Sequence, residues 1–265
     1  MHLIRFADTD GATHWGKPVN GNHAIRLVGD PFRGVSLSDD VVPVVRRLEP
    51  VAPPNVFAIG RNYREHAQEM RAADVDAEPL IFLKATTSVV GPDDSIVLPR
   101  SAPDEVDFEG ELAVVIGRDA RDVSEAQALD YVFGYCCAND VSARDCQKRR
   151  DKQWARGKSF DTFCPLGPSL VTRDTLNVEW LQIRTTLNGS IMQDASTRDM
   201  IFPVPVLISY LSHQFTLLAG TVILTGTPAG VGFARSPQVF LRPGDQVTVE
   251  IEGIGALTNQ VVASP

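Results

Sequence analysis

Asp107-Phe108-Glu109-Gly110-Glu111, running on into Leu112-Ala113-Val114-Val115-Ile116, is the stretch on which the fold turns. Its first half alternates and its second half is uniformly apolar, as in a strand that leaves a polar cavity and enters a core with both faces covered. A period of two sets Asp107, Glu109 and Glu111 on one face and Phe108 with Gly110 on the other. Like charges so spaced repel, and acidic residues are poor strand formers, so the sequence accepts a local cost that a bound cation would remove. Gly110 leaves the opposite face bare, which permits close backbone packing. Taken alone, the stripe reads equally well as an acidic face turned to solvent. Asp140 shifts the balance, because it ends the apolar run 133–138, where a carboxylate suits a site better than a core. Glu109, Glu111 and Asp140 together suit a hard cation such as Mg²⁺ or Mn²⁺, with Ca²⁺ an alternative and zinc disfavoured without His or Cys.

Outward from this strand, β signals dominate. Before it lie Val56–Gly60, Leu80–Lys84 and 95–98; after it, 133–138, the hairpin 181–187 and 191–193 across Asn188-Gly189, then 221–225, 246–252 and 256–261. Residues 61–74 have helical composition and suit a lid. A short helix is expected over 125–131 behind Ser124, and an amphipathic one over 205–217, opening on a proline and stopping before Gly220. Residues 1–52 carry short apolar stretches broken by turn pairs, a small β-rich lead-in, and Pro53-Pro54 marks the boundary with a larger unit over 53–265. The helices are too few and too irregularly spaced for a parallel doubly wound sheet, so the expected class is mostly β with a few helices (α+β).

The 265 residues carry 25 basic and 33 acidic side chains, a formal charge of -8 with pI near 5.1. That balance works against a phosphate backbone, so no nucleic-acid partner is expected, and the basic run 148–158 reads as a solvated loop or helix. No apolar segment approaches 18 residues and no signal-like start is present, so no membrane partner is expected and the cytoplasm is the expected location. Four cysteines without a C-x-x-C pair read as free packing thiols in a reducing compartment.

Seven ordered segments carry a family resemblance: Gly60-Arg61-Asn62-Tyr63, His66 to Glu69, Phe82-Leu83-Lys84, Glu109-Gly110-Glu111, Asn139 to Asp145, Lys158-Ser159-Phe160-Asp161 and Thr225-Gly226-Thr227-Pro228. From about Val56 to Val261 the chain resembles the fumarylacetoacetate hydrolase family, in particular its acylpyruvase, oxaloacetate decarboxylase and hydroxyheptadienedioate isomerase members. Fumarylacetoacetate hydrolases proper carry a larger amino-terminal domain than the lead-in here. The resemblance implies a mixed β-sandwich roll, a homodimer, and Mg²⁺ or Mn²⁺ on Glu109, Glu111 and Asp140.

His66 and Glu69 share a helix face at a spacing of three, a general-base geometry in which the carboxylate orients the imidazole. Alone the pair reads as a solvated helix face; the family's lid-borne dyad reverses that reading. Lys158 is the candidate for binding a substrate carboxylate or stabilising enolate charge, its bland alternative being a surface lysine. Gln147 matches a family position near the reacting carbon. Arg61 and Lys84 would offset negative charge, and Thr227 begins a Gly-rich turn whose N–H groups could receive an anion, although on sequence alone a turn with no ligand is the favoured reading. The expected substrate is a small 2-oxo acid. The favoured reaction is metal-dependent hydrolysis of acylpyruvates, with water activated by the His66–Glu69 dyad and a metal-stabilised enolate as intermediate. Oxaloacetate decarboxylation and hydroxyheptadienedioate isomerisation are the alternatives on the same site, and a non-catalytic metal- or ligand-binding protein is the rival of another class.

Overall fold

The computed structural model describes residues 1–70 and 77–265. Its main sheet is centred on Gly110–Ile116, every residue of which is buried. That strand pairs antiparallel with Val132–Asn139 on one side and Val222–Leu224 on the other. Cys164–Thr172 lies beyond the first neighbour; Val56–Gly60, running parallel, and then Leu80–Lys84 lie beyond the second. The lead-in strands His2–Ala7, Thr13–Asn20, His23–Asp30 and Gly34–Pro43 form a meander whose first strand joins Cys164–Thr172, extending the same sheet.

A second sheet runs in the order Ser190–Ser196, Gln182–Leu187, Gln246–Ile251, Gly255–Ala263, Ile96–Leu98. The two sheets meet face to face: Leu112, Val114 and Ile116 of the central strand share one core with Ile183, Val249, Ile251 and Leu257 of the second sheet. The architecture is the expected mostly β sandwich with mixed pairing. The helix Val204–Gln214 closes the same core, burying Val204, Leu207, Ile208 and Leu211 at helical spacing with Pro205 in its first turn. Asn188 and Gly189 both sit at positive φ (51° and 79°), the backbone that a two-residue hairpin requires. The four cysteines are free and buried. No helix among the described residues is long and apolar enough to cross a membrane.

Two expectations change in detail. The stretch 107–116 is not one strand: Val106–Asp107 pairs with Ser142–Ala143, the backbone breaks at Phe108-Glu109, and Gly110–Ile116 then joins the main sheet. The break removes Asp107 from the face it was expected to share with Glu109 and Glu111. Asp107 instead accepts the N–H of Phe108 at 2.9 Å, a local bond that competes with the ladder. The helix expected over 61–74 runs Arg64–Glu69, and residues 71–74 of that expectation lie outside the described residues.

Gly110 is required for the sandwich to close. A Cβ there would stand 2.1 Å from Thr185 Oγ1 on the facing sheet. We expect Gly110→Ala to lower the unfolding free energy by about 1–3 kcal/mol, the usual cost of overpacking a core, as read by urea denaturation; a stability equal to wild type would show that the sheets do not approach as described.

Candidate active site

Glu109, Glu111 and Asp140 converge although they come from two strand ends. Glu111 stands opposite Ala138 in the ladder, and Asp140 directly follows the partner strand Val132–Asn139. The crossing is pinned by the Asp140 N–H donating to the Glu109 carbonyl (2.8 Å) and by Asn139 Oδ1 accepting the Glu109 N–H (3.0 Å). One carboxylate oxygen from each of the three lies within 4.8 Å of the others, and all three residues are buried.

Buried carboxylates need partners, and the site supplies them as a chain of alternating charge. Arg144 donates to Asp107 Oδ2 (2.9 and 2.7 Å), to Glu109 Oε1 (2.7 Å) and to Gln147 Oε1 (2.9 Å). The Lys158 ammonium bridges Glu109 Oε2 and Asp140 Oδ2, at 2.6 Å each. Lys84 donates to Asp140 Oδ1 at 2.6 Å and to the Lys158 carbonyl. The sequence offered Lys84 as a substrate contact; the structure sets its ammonium beneath Asp140, directed at protein oxygens.

The Gly-rich turn after Val222–Leu224 does receive anions, and they are the protein's own. Gly226 N–H donates to Glu111 Oε2 (2.7 Å), Gly230 N–H to Glu69 Oε2 (2.9 Å), and Gly232 and Phe233 N–H to the two Asp107 oxygens (2.8 and 3.0 Å). Backbone amides thus replace water around three buried or half-buried carboxylates. Gly226 adopts φ +98°, and a Cβ there would meet the Asn62 Cβ at 2.7 Å. Asn62, wholly buried, ties the turn before the dyad helix to Thr225 and Phe202. The Thr227 hydroxyl donates to the Gly110 carbonyl (2.9 Å) and accepts from Gln193 Nε2 (2.7 Å).

His66 Nδ1 lies 2.7 Å from Glu69 Oε1, and the imidazole is nearly enclosed. One cleft brings His66 together with Glu109, Glu111, Lys158, Gln147, Arg61 and Thr227. Seven further residues line it that the sequence did not mark as site residues, among them Arg144, Lys148 and Trp154. Arg144 had a signal, a cation four residues after Asp140 in a segment otherwise destined for burial. Lys148 and Trp154 were hidden in the basic run 148–158, which the fold divides: Arg149, Arg150 and Arg156 point outward to Glu105, Asp145 and Asp151.

The electrostatics fit a hard cation. Burial, then Asp140 and Glu109, push the Glu111 carboxyl well above the ordinary carboxylate range. Burial also opposes ionisation of Glu109, but Lys158, Arg144 and His66 outweigh it and hold that carboxyl well below the ordinary range. Lys158 is raised because Asp140 and Glu109 overcome its desolvation. A third charge on the trio is therefore disfavoured without a cation, and the donors are all oxygen. Ligand oxygens around one octahedral Mg²⁺ lie at most about 4.2 Å apart, so small side-chain movements would let Glu109, Glu111 and Asp140 share an ion.

The buried acidic trio and the His66–Glu69 pair, with Glu109, Glu111 and His66 lining one cleft, make up the candidate active site. The chain belongs to the fumarylacetoacetate hydrolase family: residues 55–262 match its C-terminal domain, "Fumarylacetoacetate (FAA) hydrolase C-terminal". It is 48% identical to the rat mitochondrial oxaloacetate tautomerase Fahd2a over 81% of this chain and 69% of the relative. It is 45% identical to the oxaloacetate tautomerase YisK of Bacillus subtilis over 82% of this chain and 73% of that one. The crystal structure of 2-hydroxyhepta-2,4-diene-1,7-dioate isomerase from Mycobacterium marinum superposes with a TM-score of 0.86 at 42% identity, covering 100% of this chain and 99% of that one.

The opposite displacements of Glu111 and Glu109 give stability a pH signature. A raised folded-state pKa stabilises most below the free value of about 4.3 and loses that contribution as pH climbs toward the shifted value; a lowered one does the reverse, losing its contribution as pH falls. In chelator, we expect the melting temperature to decline as pH is raised from about 5 to about 8, Glu111→Gln to flatten that decline, and Mg²⁺ or Mn²⁺ to abolish it in wild type. An identical slope in Glu111→Gln would exclude Glu111 as its source.

Proposed function

We propose that this chain moves a proton at the carbon beside the keto group of a small 2-oxo acid, interconverting enol and keto forms, with oxaloacetate as the substrate. The observation that carries the reading is His66, paired to Glu69, lining the same cleft as Glu109 and Glu111 of the acidic trio. With Nδ1–H donated to Glu69, the imidazole keeps its lone pair on Nε2, the acceptor a proton shuttle needs. Glu69 is itself fixed by the Gly230 N–H, so the ring's orientation is set before substrate arrives. In ketonisation the enol O–H is lost and one C–H is formed, with His66 carrying the proton and no net redox change. Lys158 uses two of its three donors on Glu109 and Asp140, which leaves one for oxygen charge that develops in the cleft. A divalent cation on Glu109, Glu111 and Asp140 would supply Lewis-acid polarisation of the keto oxygen. The names of the rat and B. subtilis relatives support oxaloacetate, and that of the M. marinum enzyme also denotes an isomerisation.

Acylpyruvate hydrolysis is the second reading, supported by the same dyad, because an imidazole backed by a carboxylate also activates water. Decarboxylation of oxaloacetate needs no attacking water and would depend on the trio and Lys158 rather than on His66.

A panel of enol-oxaloacetate, an acylpyruvate and a hydroxyheptadienedioate with Mg²⁺ or Mn²⁺ separates these. Wild type is expected to speed loss of the enol absorbance, and His66→Ala to lose about 10²–10⁴-fold of that rate. Full ketonisation by His66→Ala would overturn the role of the dyad; acylpyruvate cleavage outpacing ketonisation would make hydrolysis the function.

A further inference from the structure

Lys148 is a cation of the cleft that the chemistry above does not use. Lys148 lines the same cleft as Glu109, Glu111 and His66 from the rim, beside Arg61 and Trp154. Its ammonium stands 6.0 Å from the Trp154 ring and 5.8 Å from the Phe233 ring. The Arg144 guanidinium lies 5.9 Å from that same Phe233 ring, so two cations flank one aromatic side chain. Arg144 is neutralised by Asp107 and Glu109. Among the described residues no carboxylate pairs with Lys148. Its neighbours in sequence differ in this respect: Arg149, Arg150 and Arg156 each close a salt bridge on the outer surface. Partial burial against the rings, then Arg144, hold the Lys148 ammonium below the ordinary lysine range. An unpaired lysine in open water needs no explanation. One turned toward two rings and another cation, in a cleft whose far end is acidic, is placed to gain from an anion.

We infer that Lys148 is the receptor for the distal carboxylate of the substrate, and that it selects dicarboxylic over monocarboxylic 2-oxo acids. The inference rests on the reading of the cleft as a 2-oxo acid site and adds its polarity: the 2-oxo carboxylate end toward Glu109, Glu111 and Lys158, the distal carboxylate toward the rim. Trp154 and Phe233 form the low-dielectric wall that strengthens the ion pair. Gln147, one residue before Lys148 and bonded to Arg144, fixes the turn Cys146–Arg150 that presents the lysine. Lys148 is thus a specificity-determining residue that acts on binding, away from the carbon where the proton moves.

The test is equilibrium binding, which does not require turnover. Calorimetry with Mn²⁺ present compares 3,3-dimethyloxaloacetate, which cannot enolise, with its distal monomethyl ester, in wild type, Lys148→Met and Lys148→Arg. We expect wild type to prefer the diacid, Lys148→Met to lower the diacid-to-ester affinity ratio about tenfold, as loss of one charge-assisted contact implies, and Lys148→Arg to keep most of it. The wild-type preference should also shrink as salt is raised, since the contact is at the rim. A ratio unchanged in Lys148→Met, or a wild type that does not distinguish diacid from ester, would overturn the assignment. Failure of enol-oxaloacetate turnover with the binding ratio intact would instead count against the proposed reaction and leave Lys148 assigned.

Discussion

Seven ionisable side chains, Asp107, Glu109, Glu111, Asp140, Lys84, Arg144 and Lys158, are all buried in one region. Desolvating so many charges costs several kcal/mol per ion unless each finds a partner, and that requirement shapes the molecule around the site. The partners alternate in sign from Asp107 through Arg144, Glu109, Lys158 and Asp140 to Lys84. Among the described residues Glu111 is the member without a salt bridge, its carboxylate accepting from the Gly226 amide, and it is the one driven toward protonation. Four carboxylates against three cations leave a formal charge of -1, which a dication would turn to about +1, the sign that attracts a 2-oxo acid.

The surrounding fold is arranged so that none of these groups can move independently. The central strand ends where the trio begins, and its partner strand delivers Asp140 across the ladder. The turn 226–233 gives its amides to Glu111, Glu69 and Asp107 in succession, so one loop sets the positions of the trio, the dyad and the Arg144 anchor together. Gln193, buried on the second sheet, accepts the Gly110 N–H (2.9 Å) and donates to Thr227 and to the Pro228 carbonyl, tying that loop to the sandwich. Proximity of the acidic trio, the imidazole and the buried cations is in this way a property of the scaffold, which is what preorganised electrostatics demands.

Much of this was legible in the sequence because it is local. The run 112–116, the Asn188-Gly189 hairpin and the amphipathic helix are period and turn signals, and they appear where they were expected, with ends shifted by up to three residues. Glu109, Glu111, Asp140 and the pair His66 and Glu69 were legible for the same reason, with ordered family segments removing the solvent-face alternatives. What escaped was set by distant contacts. Asp107 looked like a third member of the acidic stripe until its own backbone bond and Arg144 drew it away. Lys84 looked free to meet substrate, since nothing local shows that Asp140, 56 residues on, would take its ammonium. The anions of the Gly-rich turn could not be read from its sequence, because they arrive from three other elements of the chain. Lys148 and Trp154 were masked by the basic run that contains them.

If the buried trio is a cation site built into the charge network, anomalous scattering from crystals soaked in Mn²⁺ will show a single strong peak within bonding distance of oxygens from Glu109, Glu111 and Asp140, with Lys158 retained beside Glu109 or Asp140. Crystals at saturating Mn²⁺ with no peak there, or with Mn²⁺ bound only at other carboxylates, would contradict it.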